Sequence, residues 1–138
     1  MPQPPAPKIF VTCALICREG RVLCTQRSST MSLPLKWEFP GGKLEPGEAA
    51  ERCVVREIAE ELDLHIQVLE RGPSVHKQFA PEREIELIPF VARLESGTLF
   101  LHEHAAAQWC TPDQLNQLDW APADVSIVRW WQTNFHRF

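Results

Sequence analysis

From Ile9 to Arg18 the chain is almost continuously apolar and rich in β-branched residues, which predicts a central strand buried on both faces. Glu19-Gly20 is a tight turn, and Arg21 to Arg27 returns as the hairpin partner. Ser28 to Lys36 reads as a loop, and Trp37-Glu38-Phe39 as a short strand entering Pro40-Gly41-Gly42. From Ala49 to Leu62 good helix formers run without Pro or Gly, and Val54, Ile58 and Leu62 repeat at i, i+4, i+8. That spacing predicts a helix with one apolar stripe. Ile66 to His76 and Glu84 to Leu94 read as strands joined near Phe79-Ala80-Pro81, with Pro89 marking an edge or a bulge. Gln108 to Cys110 is a further short strand. Thr111 is expected to cap a brief helix with Pro112 at its first position. Ala123 to His136 predicts a second long helix, apolar at Val125, Ile127, Val128 and Trp131. Mixed strands with one helix in the middle and one at the end fit an α/β chain, folded as an α/β/α sandwich around a mixed sheet.

Composition narrows the functional classes. At 138 residues the chain is expected to be one domain that buries a real core, with residues 1–8, MPQPPAPK, as a loose tail. A net charge of −4 without a basic stripe argues against a nucleic-acid polymer as partner. A metal-bridged nucleotide is compatible, because the cation supplies the positive charge. The cysteines, Cys13, Cys17, Cys24, Cys53 and Cys110, are odd in number and scattered, with no CxxC. They read as small core fillers, not as a disulfide scaffold or zinc site. No signal peptide and no apolar stretch near ~18 residues is found, so a cytoplasmic protein without a membrane partner is expected.

The chemistry is concentrated in residues 41–64, GGKLEPGEAAERCVVREIAEELDL. Glu57, Glu60 and Glu61 stand at i, i+3, i+4 and converge on one helix face, beside the apolar stripe. Carboxylates so close repel one another unless a cation sits between them. Mg²⁺ or Mn²⁺ would relieve that repulsion, and such ions are the usual partners of phosphates. Gly41 and Gly42 are expected to let the backbone turn sharply and approach a metal or phosphate. Pro46-Gly47 is a second turn. Arg56 is expected to brace the loop through carbonyls or Glu48, pointing away from Glu57.

The spacing Gly42, five residues, Glu48, seven residues, Arg56-Glu57-Ile58, one residue, Glu60-Glu61 and then Leu64 resembles the Nudix box, G-x5-E-x7-R-E-U-x-E-E-x-G-U. Eight of nine specified positions agree, and Asp63 stands where the pattern has Gly. Asp tolerates a left-handed conformation, so a small stability cost is expected there. The resemblance extends over almost the whole chain and implies the Nudix α/β/α fold. WEFPGGK resembles the MutT branch of that family, and LHEHAAAQWCTPDQLNQLDWAPADVSIV is similar to the end of its bacterial CTP pyrophosphohydrolases.

The resemblance implies a metal site of Gly41, Glu57, Glu60, Glu61 and Glu103, with Glu103 on a loop outside the box. It implies Arg56, Glu57, Glu60 and Glu103 as the catalytic set, with Gly42 and Glu48 shaping the motif. Arg27, Glu38, Phe79 and Asp124 fall at substrate-facing positions, Arg27 toward phosphate, Phe79 in the base pocket and Asp124 at the base edge. A carboxyl at that edge accepts from a cytosine amino group, and equally from the N–H donors of guanine or 8-oxoguanine. Asp124 read alone is as well a cap for the last helix. Trp37 and Trp109 read as core. His102 and His104 read as polar loop residues, because hard Mg²⁺ prefers oxygen.

The implied activity is Mg²⁺-dependent hydrolysis of a (deoxy)nucleoside triphosphate, a cytidine or modified pyrimidine nucleotide, to monophosphate and pyrophosphate. An 8-oxo-dGTP diphosphatase is the alternative. A non-catalytic nucleotide-binding module is the rival of another class, and the intact box carboxylates argue against it. Hydrolysis of a nucleoside diphosphate-sugar would need extra segments for which this chain has little room. The partner is a small-molecule nucleotide, and the protein is expected to be a monomer or homodimer.

Overall fold

The computed structural model describes residues 8–80 and 83–138, with backbone alone for residues 79 and 80. The apolar run forms β1 (Lys8–Arg18), so Lys8 belongs to a strand and not to the tail; the rest of the expected tail lies outside the described residues. Glu19 and Gly20 both take positive φ, 50° and 76°, the geometry that matches a two-residue turn to the strand twist. The chain then returns as β2 (Arg21–Gln26).

One edge of β1 pairs in parallel with β7 (Arg83–Gly97) from Lys8↔Glu84 to Cys17↔Arg93. The other edge is divided. β2 holds its end at Cys17 and Arg18, and β4 (Gly41–Lys43) holds Val11 to Cys13. β1 and β2 therefore diverge, and residues 37–43 fill the wedge, with β3 (Trp37–Glu38) on β2 and β4 on β1. β8 (Ala106–Cys110) covers the far edge of β2.

The single strand expected over 66–76 is two, β5 (Leu64–Arg71) and β6 (Val75–Ala80), both antiparallel to β7. Gly72-Pro73-Ser74 interrupts them, and Gly72 N donates to Pro89 O at 2.8 Å. N and O of an extended residue point to the same side, so the missing N–H of Pro89 faces this interruption. Pro89 thus sits in an interior strand at the one place where its partner is broken, neither at an edge nor on a bulge of its own.

The alternation along β1 feeds two cores. Cys13 and Leu15 join Phe39, Leu115, Ile127, Val128 and Trp131 beneath α2 (Val125–Asn134). Ala14 and Ile16 join Val54, Ile58, Leu62 and Phe90 beneath α1 (Ala50–Leu62). This is the α/β/α arrangement expected. Trp37 and Trp109 are half-buried against these cores. The five cysteines are all free. The second helix is shorter than expected, flanked by 3-10 turns at Pro122–Asp124 and Phe135–Arg137. Thr111 is no side-chain cap: the 3-10 turn Asp113–Gln117 follows Pro112, and Thr111 N donates to Gln114 Oε1 at 2.8 Å.

Candidate active site

The two glycines act through packing, not by turning the chain. Neither has positive φ, and both lie in β4. A Cβ on Gly41 would stand 2.0 Å from Thr12 O, and one on Gly42 2.3 Å from the carboxyl carbon of Glu57. β4 is thereby pressed onto β1 while the Glu57 carboxylate rests directly on Gly42. Thr12 Oγ1 donates to Gly42 O at 3.2 Å, and the Cys53 thiol lies 3.4 Å from Lys43 O, so α1 and β1 tie this strand from below.

Arg56 makes the brace expected of it and more. Its Nε and Nη2 donate to Glu48 at 2.7 and 2.9 Å, and Nη2 reaches Lys43 O at 3.3 Å. Contrary to expectation it also meets Glu57, with Nη1 3.0 Å from Oε1, and Glu60 at 3.1 Å. Nη1 spans the two carboxylates, while Nε and Nη2 stay with Glu48. The bonds from Arg56, and then one accepted from Glu45 N, hold the Glu48 pKa down to about 2.

Glu61 carries the electrostatic signature of the site. Its Oε2 is buried without a hydrogen-bond partner. Burial, then the charges of Glu57 and Glu103, push its pKa up to about 9. Glu103 lies on the loop before β8, next to His102, whose N donates to Glu61 O at 3.2 Å. Glu60 stands off, with its side chain 60% exposed on the Arg56 side.

In the wedge, Glu38 lies between Arg27 Nη1 at 2.6 Å and His104 Nε2 at 3.0 Å. Burial raises the Glu38 pKa, but the bonds from His104 and Arg27 outweigh it and the net shift is downward. Arg27 also donates to Ser32 O at 2.6 Å, so its guanidinium is engaged with Glu38 and the 28–36 loop. Asp124, 5% exposed, makes no helix-capping bond although it occupies the cap position of α2. Its Oδ2 accepts instead from Phe39 N at 2.9 Å, across 85 residues. Burial pushes its pKa up to about 8. Phe79 has its backbone in β6, and its side chain lies outside the described residues.

The NUDIX domain family pattern matches residues 7–131. The chain belongs to the Nudix family. It is 38% identical over 120 residues to a protein named CTP pyrophosphohydrolase from Escherichia coli K12, covering 87% of this chain and 88% of that one. It is 30% identical over 122 residues to the 8-oxo-dGTP diphosphatase of the same organism, covering 88% and 94%. The solution structure of the E. coli ORF135 protein superposes with a TM-score of 0.81 at 34% identity, over 94% of this chain and 92% of that one.

This Nudix hydrolase shows, among the described residues, no three His, Cys, Asp or Glu side chains already gathered around an ion. The donors nonetheless fit a hard divalent cation. They are carboxylate oxygens, and that of Glu61, which Arg56 does not reach, is buried and unpartnered. No described helix is long and apolar enough to cross a membrane. Sequence reasoning missed His104, whose side chain is 2% exposed and bound to Glu38. The HxH pattern does not form a pair, because His102 turns to Asp63 at 2.9 Å. Thr12 in β1 and Cys53 in α1 were also silent, since nothing in the sequence sets a small buried residue apart from one that anchors β4.

Proposed function

We propose that this enzyme is a Mg²⁺-dependent pyrophosphohydrolase of cytidine triphosphates, ribo or deoxy. Glu57, Glu60, Glu61 and Glu103, with the Gly41 carbonyl, would hold Mg²⁺ or Mn²⁺. Bound there, such ions neutralise phosphate oxygens and acidify the attacking water. Water forms a bond to the β-phosphorus, the bond from that phosphorus to the oxygen shared with the α-phosphate breaks, and the products are monophosphate and pyrophosphate. The water's proton passes to one of Glu57, Glu60 or Glu103. Arg56 holds Glu57 and Glu60 in place. Arg27 borders the phosphate end and orients Glu38.

Asp124 carries the base assignment. It is a buried carboxyl whose Oδ2 is taken by Phe39 N, one residue from Glu38, so its position is fixed on the same short segment that leads into β4. A carboxyl accepts from the cytosine amino group in either protonation state. Similarity to a protein named CTP pyrophosphohydrolase supports this reading. The 8-oxo-dGTP reading is kept because the same acceptor suits a guanine N–H edge and another relative is named for that substrate. A panel of (d)NTPs with 8-oxo-dGTP and 5-methyl-dCTP decides between them. The expected order of kcat/KM places CTP or dCTP above UTP and above 8-oxo-dGTP; the reverse order overturns the base assignment.

A further inference from the structure

We propose that two histidine contacts, His102 to Asp63 and His104 to Glu38, clamp the loop on both sides of Glu103 and so position that carboxylate beside Glu61. The inference rests on the metal-binding reading of Glu103 above.

The loop between β7 and β8 docks on the end of α1. Phe100 N donates to Leu62 O at 3.0 Å and His102 N to Glu61 O at 3.2 Å, carbonyls that a helix end leaves unpaired. Ala105 N donates to Gln26 O at 2.9 Å and ties the far side to β2. Glu103 falls between these anchors. It is exposed, so its aim depends on its neighbours.

His102 Nε2 lies 2.9 Å from Asp63 Oδ1, with the ring packed on Phe100 at 4.7 Å between centroids. Asp63 is the residue that departs from the box pattern. It takes φ 57°, ψ 27°, as a Gly would, yet it also offers a carboxylate that Gly lacks. On the other side His104 is buried and bonded to Glu38, which Arg27 holds in turn. A buried bond to a charged group is less screened than an exposed one, so His104 is the stronger anchor and His102 the weaker.

The test is binding of Mn²⁺ alone to the full chain, followed by electron paramagnetic resonance, with the thermal midpoint in chelator recorded for each variant. His104→Ala is expected to weaken Mn²⁺ about tenfold, the lower end for groups that orient metal ligands. His104→Gln should restore most of it, because its amide keeps an N–H for Glu38. Asp63→Gly and His102→Ala should each weaken Mn²⁺ by about two- to fivefold, the scale of an exposed pair. Gly takes the left-handed conformation without strain, so Asp63→Gly should hold or raise the midpoint while Mn²⁺ affinity falls. Glu103→Gln is the reference. If it binds Mn²⁺ as the wild type does, the metal reading of Glu103 fails and the clamp with it. If it is weakened while Asp63→Gly, His102→Ala and His104→Ala bind normally, the clamp alone fails. Lost thermal stability with unchanged Mn²⁺ affinity also overturns it. Should His104→Ala not fold, Asp63→Gly and His102→Ala decide the matter.

Discussion

Glu57 and Asp124 are two carboxyls with opposite demands on their charge. Glu57 lies against Gly42 and Arg56, where a negative charge is wanted by any cation bound on that face. Glu57→Gln should lower kcat by about 10³ or more, the scale of a main electrostatic contributor. Its thermal midpoint in chelator should stay level or rise as repulsion with Glu61 is relieved; near-normal turnover at saturating Mg²⁺ would remove Glu57 from the reaction. Asp124 is buried against a backbone N–H, and its proton is held to about pH 8 against an ordinary value of 3.8. Between those values the folded state binds a proton that the unfolded chain has released, so this group's stability contribution is full at the acid end. It falls as pH rises through the window, by at most about 1.4 kcal/mol per pH unit for one proton. Asp124→Asn should flatten that slope in denaturant unfolding followed from about pH 5 to about pH 8. Parallel profiles for variant and wild type would show that Asp124 does not titrate there. Asp124→Ala should lower kcat/KM for cytidine triphosphates about 10–100-fold, one lost polar contact of roughly 1.5–3 kcal/mol, and spare UTP. An equal loss on every base would return Asp124 to a purely structural role.

At the scale of elements, β4 is where packing and chemistry meet. A Cβ on Gly41 meets strand backbone, which cannot move without opening the β1–β4 ladder; a Cβ on Gly42 meets the end of a side chain. Gly41→Ala should therefore cost stability, about 1–3 kcal/mol by overpacking. Gly42→Ala should cost less stability and about 10² in kcat, because a displacement near 1 Å of a positioned group has that effect. Denaturant melts and turnover on the two variants read this directly, and equal stability losses would contradict it. The α1 stripe was legible in the sequence because Val54, Ile58 and Leu62 lie at helical spacing, and all three are fully buried. The split of β5 from β6 was not read, although Gly72-Pro73 marks it, because the apolar pattern continues on both sides.

For the whole molecule, the expected outcome is one hydrolytic step with pyrophosphate as co-product. Reaction in ¹⁸O-water should place the label in pyrophosphate and none in the monophosphate. Label in the monophosphate would mean attack at the α-phosphorus, and free phosphate with a diphosphate would mean the γ-phosphorus. The wedge between β1 and β2 frames the candidate site. It sets Glu38 on one strand and Gly41-Gly42 on the other, with α1 beneath and the Glu103 loop closing the side.

The local pattern of the chain was enough to determine the α/β class, the α1 stripe, the left-handed turn at Asp63 and the candidate carboxylates, because helix period, turn chemistry and motif spacing are short-range properties. The tertiary structure alone decided which of those carboxylates meet. Glu61 Oε2 is buried, with the charges of Glu57 and Glu103 acting on it, while Glu60 remains solvated beside Arg56. The structure also decided that Asp124 bonds to Phe39 across the molecule and that His104 is buried on Glu38. Such contacts join residues 85 and 66 positions apart, and burial and charge add up only once the sheet has brought those segments together.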